Sequence, residues 1–308
     1  MSLLSEELDR YLALRRSTGF ALRRAEKLLG QFVAYCAAEG VEVVTVEVAL
    51  RWAGLPEDLS HSWLAMRLGV IRPFSRHLAL LDDRHKVIPT NLIPHHRARA
   101  TPFLYTEEQV LALMAAASTL PAAVRQATMA TIIGLLWATG MRIGEALGLD
   151  RADVDLDGGI LTVRRAKFGK ARELPLHDST VAALAAYAQR RAGWFAFSPD
   201  SPFFVSAAGT RVIYCNFHLA FTELVRRAGI EARSARCRPR PHDLRHAYAV
   251  RTLTGWYRDG ADVEANLPRL STYLGHVDPA GTFWYLSAAP ELLALAAERL
   301  EAATEGRP

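Results

Sequence analysis

Cysteine is scarce: Cys36, Cys215 and Cys237 are the three in 308 residues. They are odd in number, scattered and without metal-ligand spacing. This argues against a disulfide framework or thiolate metal site, and for a reduced, intracellular setting. The N-terminus, MSLLSEELDR, lacks a basic start followed by an apolar stretch, so no signal peptide is expected. The uncharged run 127–141 is too short to span a bilayer, which needs about 20 residues. Cytoplasmic residence without a membrane partner is therefore expected. Internal repeats and low-complexity tracts are missing too. Charge of one sign is in only modest excess, with a formal net charge of +5 and pI ≈ 9.3. That balance permits a polyanionic partner without demanding one. Half the residues are hydrophobic, which excludes a disordered chain and allows a sizeable core in each of two domains.

The placement of charge says more than its sum. Arg226, Arg227, Arg233, Arg236, Arg238, Arg240 and Arg245 face only Glu231 and Asp243 in the same stretch. A second cationic cluster holds His95, His96, Arg97 and Arg99. Such runs are most often solvated surface. The first leads directly into the HDLR motif taken up below, which makes Arg238 and Arg240, with Arg97 and Arg99, candidates for DNA contacts.

Apolar spacing divides the chain. From Leu22, the positions Ala25, Leu28, Leu29, Phe32, Val33 and Cys36 keep helical spacing, ended by Gly40. Thr45 can cap a short helix through Trp52, and Ser60 can cap another carrying Trp63, Leu64, Leu68, Ile71 and Phe74, with Pro73 expected to kink or interrupt it. A bundle of about four helices over 1–86 follows. Prolines and cationic side chains mark 87–104 as an exposed linker. A second domain, 105–308, opens with a helix capped at Thr106. Ile160, Leu161, Thr162 and Val163, a turn at Phe168-Gly169, and Glu173, Leu174, Pro175 and Leu176 read as a hairpin. Phe203, Phe204 and Val205 read as another short strand, and helices resume to the end. The fold class is mainly α with a small β-sheet (α+β).

Four segments carry the chemistry: ATGMRIGEALGL with Arg142, RRAKFGKARELPL with Lys167, PHDLRHAY with His242 and Arg245, and LGHVDPAGTFWYL with His276 and Tyr285. Taken singly, each residue has an ordinary structural reading, as a surface cation or a core aromatic. Together they meet the needs of a metal-free attack on a DNA phosphodiester. The phosphate gains negative charge in its transition state, so fixed cations at its non-bridging oxygens are the largest available stabilisation. Arginine suits this, being a planar donor fork that stays charged. A tyrosine phenol can form a lasting phosphate ester, although its free pKa of about 10 means it needs help losing its proton. The departing 5′-hydroxyl needs a proton donor, a role open to lysine or histidine. A carboxylate cage for a metal is unnecessary.

The order of these residues resembles the tyrosine recombinases, or phage integrases. Ala138, Thr139, Gly140, Met141, Arg142, Ile143, Gly144 and Glu145 match that family's first arginine motif. Lys167 matches its hairpin lysine, with Lys170, Arg172 and Pro175 in the downstream pattern. His242-Asp243-Leu244-Arg245 and Leu274-Gly275-His276 match the next two motifs, and Tyr285 lies nine residues beyond His276.

The resemblance implies an N-terminal helical core-binding bundle and a C-terminal integrase-type catalytic domain. It implies that Arg142 and Arg245, helped by His276, clamp the non-bridging oxygens, that Lys167 protonates the leaving oxygen, and that His242 assists proton transfer. Glu145 would brace Arg142, and Tyr285 would hold a 3′-phosphotyrosine, with no cofactor, metal or ATP. It further implies double-stranded DNA with paired half-sites as partner, a homo-tetramer in the synaptic complex and a nucleoid-associated location. After Tyr285, Pro290 can start a helix whose Leu292, Leu293, Ala296 and Leu300 share a face, packing on its own domain or docking on a neighbouring subunit. The competing readings are a type IB topoisomerase-like relaxing enzyme and a catalytically inactive DNA-binding or architectural protein.

Overall fold

The computed structural model describes residues 2–20, 22–55, 60–93, 101–164, 171–196 and 198–276, with 282, 285, 292–294 and 297. The chain divides into two compact units, Met1–Arg99 and Ala100–Pro308.

The first unit holds α1 (Leu3–Ser17), α2 (Arg23–Ala38), α3 (Val46–Gly54) and α4 (His61–Leu81). Three of these begin where a hydroxyl can replace a missing helical acceptor. Ser2, Thr45 and Ser60 each accept a hydrogen bond from the backbone N–H three residues on. The periodic apolar positions then close on one core, with Leu29, Phe32, Cys36, Trp52, Ile71 and Phe74 buried. Phe32 meets Trp52 edge-on at a centroid distance of 5.3 Å.

Of the kink or interruption expected at Pro73, the interruption does not occur, because α4 runs through it. Pro73 itself is exposed, while Leu68, Ile71, Phe74 and Leu78 on either side of it are buried in the same core. Packing of both halves against one surface outweighs the lost backbone bond. The expected linker also shortens. Ile88 is buried in the first core, its N–H donates to Ser75 Oγ (3.1 Å), and Arg72 donates to the carbonyls of Ile88, Pro89 and Thr90. At the other end Phe103 and Tyr105 are buried in the core of the second unit. Arg97 and Arg99 lie outside the described residues.

The second unit runs α5 (Glu107–Ala116), α6 (Ala123–Thr139), α7 (Ile143–Gly148), β1 (Val154–Asp155), β2 (Ile160–Val163), β3 (Arg172–Pro175), α8 (Asp178–Ala192), α9 (Tyr214–Arg227), α10 (Asp243–Arg258) and α11 (Val263–Leu274). Thr106 and Gln109 form a reciprocal capping box at the start of α5. The three strands make one antiparallel sheet in the order β1-β2-β3, with Leu161 opposite Leu174 and Val163 opposite Arg172. The hairpin is thus present, and its expected turn at Phe168-Gly169 lies outside the described residues. The fold is mainly α with a small sheet.

The strand expected at Phe203–Val205 is absent. Isolated bridges join Asp150 to Pro202 and Val205 to Arg211 instead. Pro202 offers no N–H to a ladder, and Phe203 and Phe204 are buried around Tyr187 at centroid distances of 5.6 and 5.2 Å. Among the described residues, no helix is long and apolar enough to cross a membrane.

The first core fixes a testable cost. Phe32→Ala should destabilise the first unit by about 3–5 kcal/mol through the cavity it leaves, measured by urea denaturation. A loss below about 1 kcal/mol would contradict this packing.

Candidate active site

Two glycine turns build the frame. Gly140 ends α6 with φ +61°, and a Cβ there would stand 2.5 Å from the Tyr248 ring. Gly275 ends α11 with φ +69°, and a Cβ there would stand 2.7 Å from the Arg172 guanidinium. Only glycine combines this left-handed backbone with so close an approach. Each turn delivers a motif side chain just after it, Arg142 at the start of α7 and His276 beyond α11.

Arg245, in the first turn of α10, is 2% exposed. Its Nη1 donates to Gly140 O (2.9 Å) and its Nη2 to Leu274 O (2.7 Å), so one guanidinium ties both turns. Arg142 donates from Nη2 to Gly275 O (2.9 Å) and from Nη1 to Glu145 Oε1 (2.9 Å), and its side chain keeps 31% exposure. Glu145 Oε2 also accepts from the Arg142 backbone N–H (2.9 Å). On β3, Arg172 donates to both Glu145 oxygens (3.0 and 2.8 Å) and to Tyr273 O (3.0 Å). Burial alone would raise the Glu145 carboxyl, but the hydrogen bonds from Arg172 and Arg142 hold it below the usual range and ionised.

Tyr285 enters this frame from the same chain. It is 2% exposed, and its ring stacks on His276 at 5.9 Å with the planes 24° apart. The His246 ring meets it edge-on at 5.3 Å and meets His242 at 4.7 Å. The Tyr285 hydroxyl and the Arg245 guanidinium are hydrogen-bond partners. His276 Nδ1 lies 2.6 Å from the buried Thr282 hydroxyl.

The structure therefore brings together Arg142, Glu145, His242, Arg245, His276 and Tyr285. Lys167 lies outside the described residues. Arg238 is exposed, whereas Arg240 is engaged by the buried Asp243 carboxylate at 3.1 Å. Leu292 is buried beside Tyr285 in a cluster of α10 and α11 side chains, and Leu293 is 55% exposed. Ala296 and Leu300 are outside the described residues. Tyr273, the other phenol near His276, is raised above its usual value by burial and stacks on Tyr248 at 5.8 Å.

Sequence reasoning noted Arg172 only as part of a pattern and passed over His246 and Thr282. His246 stands one helical turn beyond His242, a spacing that could have marked it as sharing that face.

The pocket is crowded with positive charge, and its histidines answer by staying neutral. His242 is pushed down to about 4 by desolvation, then by Arg245 and Arg142. His276 is pushed down to about 4 by burial, then by the same two arginines, and His246 to about 3 by burial, then by His242. His242 nonetheless keeps an exposed edge, so solvent screens its share. Among the described residues, no group of three His, Cys, Asp or Glu side chains could hold a metal ion.

The model of the phage integrase family matches residues 104–291, more than half of the chain. This chain belongs to that family. It is 41% identical over its whole length to the Sinorhizobium fredii protein named "Putative integrase/recombinase y4rB", all of which is covered. It is 33% identical to "Tyrosine recombinase XerD" of Caulobacter vibrioides, over 77% of this chain and 74% of that one. Among solved structures, the fold resembles the Tn1549 transposon integrase in complex with transposon right end DNA, with TM-score 0.63, 17% identity, and coverage of 96% of this chain and 98% of that chain. A lambda integrase dimer bound to a COC′ core site gives TM-score 0.58 at 18% identity, covering 91% and 96%.

The half-buried His246 and His276 of this integrase-family chain, with the more exposed His242, set an acid limit. Their folded pKa values lie below the unfolded value of about 6.5, so above that pH both states are neutral and stability is fully present. As pH falls from 6.5 towards 4, the unfolded chain takes up protons that the folded chain refuses, and stability is lost. His246 and His276 should each remove up to about 1.4 kcal/mol per pH unit in that window, and His242 less. Urea denaturation of the DNA-free protein at pH 7, 6 and 5 measures this, and equal midpoints at all three would contradict the neutral state of these rings.

Proposed function

We propose that the chain is a site-specific DNA recombinase that cleaves and rejoins strands through a 3′-phosphotyrosine at Tyr285. One observation carries the reading. A phenol from the end of the catalytic unit meets the Arg245 guanidinium and the His276 and His246 rings, and Arg142 is tied to the same frame through Gly275 O, all within one chain.

The Tyr285 oxygen attacks the phosphorus, and the bond from phosphorus to the 5′-oxygen breaks. A new tyrosyl ester replaces the lost phosphodiester, so the bond is kept for the reverse attack by a 5′-hydroxyl of the exchanged strand. Arg245 and Arg142 use their terminal nitrogens on backbone carbonyls and Glu145, which fixes the direction of both forks. A guanidinium has five N–H donors, so further donors remain for phosphate oxygens. Such pre-aimed cations need no rearrangement as negative charge develops. Neutral His276 adds a hydrogen-bond donor without deepening the charge repulsion. His242, with its exposed edge, can carry a proton near the nucleophile, and Lys167, on the β2–β3 connection, is the proton donor to the leaving oxygen. Glu145 is a positioning residue, offsetting Arg142 and Arg172 at once.

DNA is the partner. The helical bundle of the first unit serves as the second DNA-contacting domain, with Arg97, Arg99 and Arg238 adding phosphate contacts and affinity falling with salt. Paired half-sites, a tetrameric synapse, exchange of the C-terminal segment between subunits and a nucleoid location are parts of the same reading. So is carriage on a mobile element. The relatives named as recombinases favour this over a topoisomerase or an inactive binding protein.

The test is a nicked suicide DNA substrate, its sequence taken from repeats flanking the encoding locus. The wild-type protein should form a covalent adduct that migrates slowly on a denaturing gel. Tyr285→Phe should form none, and Arg245→Ala should slow adduct formation by about 100-fold or more. Adduct formation by Tyr285→Phe would move the nucleophile elsewhere.

A further inference from the structure

His276 can donate to a phosphate oxygen while neutral only if the donating nitrogen carries the ring's single proton. Its Nδ1 lies 2.6 Å from Thr282 Oγ1, so Nε2 is the nitrogen left for the phosphate. Two arrangements of that hydrogen bond are chemically distinct. If the ring donates from Nδ1, a bare lone pair remains at Nε2 and repels the anionic oxygens. If the hydroxyl donates to Nδ1, the proton sits on Nε2 and points to the substrate. We propose that Thr282 is a positioning residue that donates its hydroxyl proton to His276 Nδ1, holding the ring in its Nε2–H tautomer and tying the nucleophile's segment to the phosphate clamp. This rests on the roles of His276 and Tyr285 given above.

Three features support the assignment. Thr282 is fully buried, so water does not compete for its hydroxyl. Thr282 and Tyr285 both have helical backbone and lie three residues apart, which puts them on one face. That face meets His276 twice, through the Thr282 hydrogen bond and through the Tyr285 ring stacked at 5.9 Å. One imidazole therefore registers the nucleophile against the oxygen-binding groups.

The electrostatics explain why a tautomer has to be chosen at all. Protonated His276 would donate from both nitrogens and need no selection. Around it, however, stand Arg142 at the start of α7, Arg172 on β3, and His242, Arg245 and His246 on α10. Burial and these neighbours keep the ring neutral near pH 7, and a neutral ring has one proton to place.

The experiment is single-turnover cleavage of the suicide substrate from pH 5.5 to 8 by wild type, Thr282→Val and Thr282→Ser, with DNA affinity measured alongside. Valine keeps the shape and removes the hydroxyl. At pH 8, Thr282→Val should cleave about tenfold more slowly with DNA affinity unchanged, and Thr282→Ser should cleave near the wild-type rate. His276 stays neutral across this range, so the Thr282→Val deficit should persist from pH 8 down to pH 5.5. Wild-type rates in Thr282→Val, or a Thr282→Ser rate as low as that of Thr282→Val, would overturn the inference.

Nitrogen NMR of His276 in the intact wild-type chain gives an answer that needs no variant to fold. A protonated Nε2 is expected, and a protonated Nδ1 with bare Nε2 overturns the proposal. Normal cleavage by Thr282→Val with none by Tyr285→Phe would sink the Thr282 role and leave the recombinase reading standing. Adduct formation by Tyr285→Phe would sink that reading itself.

Discussion

The Arg245 guanidinium is almost wholly removed from water, and it donates to the carbonyls of Gly140 and Leu274. A buried charge with no partners would be costly, and a charge whose donors meet fixed carbonyls is far less so. Those two bonds join α10 to the ends of α6 and α11, and the two turns they hold present Arg142 and His276. Breaking them would leave the charge uncompensated and release three segments together. The places of Arg142 and His276 follow from this bond pair.

A second constraint is the scarcity of negative charge around that guanidinium. Glu145 is the carboxylate that Arg142 and Arg172 share, and it leaves the pocket cationic. The three histidines respond by remaining neutral, each depressed by burial and by its charged neighbours. A phosphate entering such a site supplies the missing negative charge. Binding and transition-state stabilisation thus draw on one electrostatic imbalance, and the protein bears its cost in the DNA-free state as sensitivity to acid.

Local signals in the sequence were reliable where the physics is local. The caps at Thr45, Ser60 and Thr106 were legible because a side-chain oxygen acts on an N–H three residues away. The β2–β3 hairpin was legible from its β-rich run and turn residues. Phe203–Val205 was misread as a strand, and an interruption at Pro73 did not follow, because packing decides both. Two halves of α4 share one core, and the paired phenylalanines serve Tyr187 rather than a ladder. The linker was overextended because nothing local reveals that Arg72 straps residues 88–90 to the first unit.

The sequence by itself determined the chemistry on offer: which cations, which phenol, and in what order along the chain. It also determined the two glycine turns, since their glycines lie next to Arg142 and His276, the side chains they deliver. Tertiary structure decided which groups touch. Arg245 and Gly140 are 105 residues apart, and Arg172 and Glu145 are 27 apart. Contacts over such separations depend on how α6, α10 and α11 pack, and no short-range propensity encodes that. The same packing gave His246 and Thr282 their places against Tyr285 and His276, turning two unremarked residues into walls of the site.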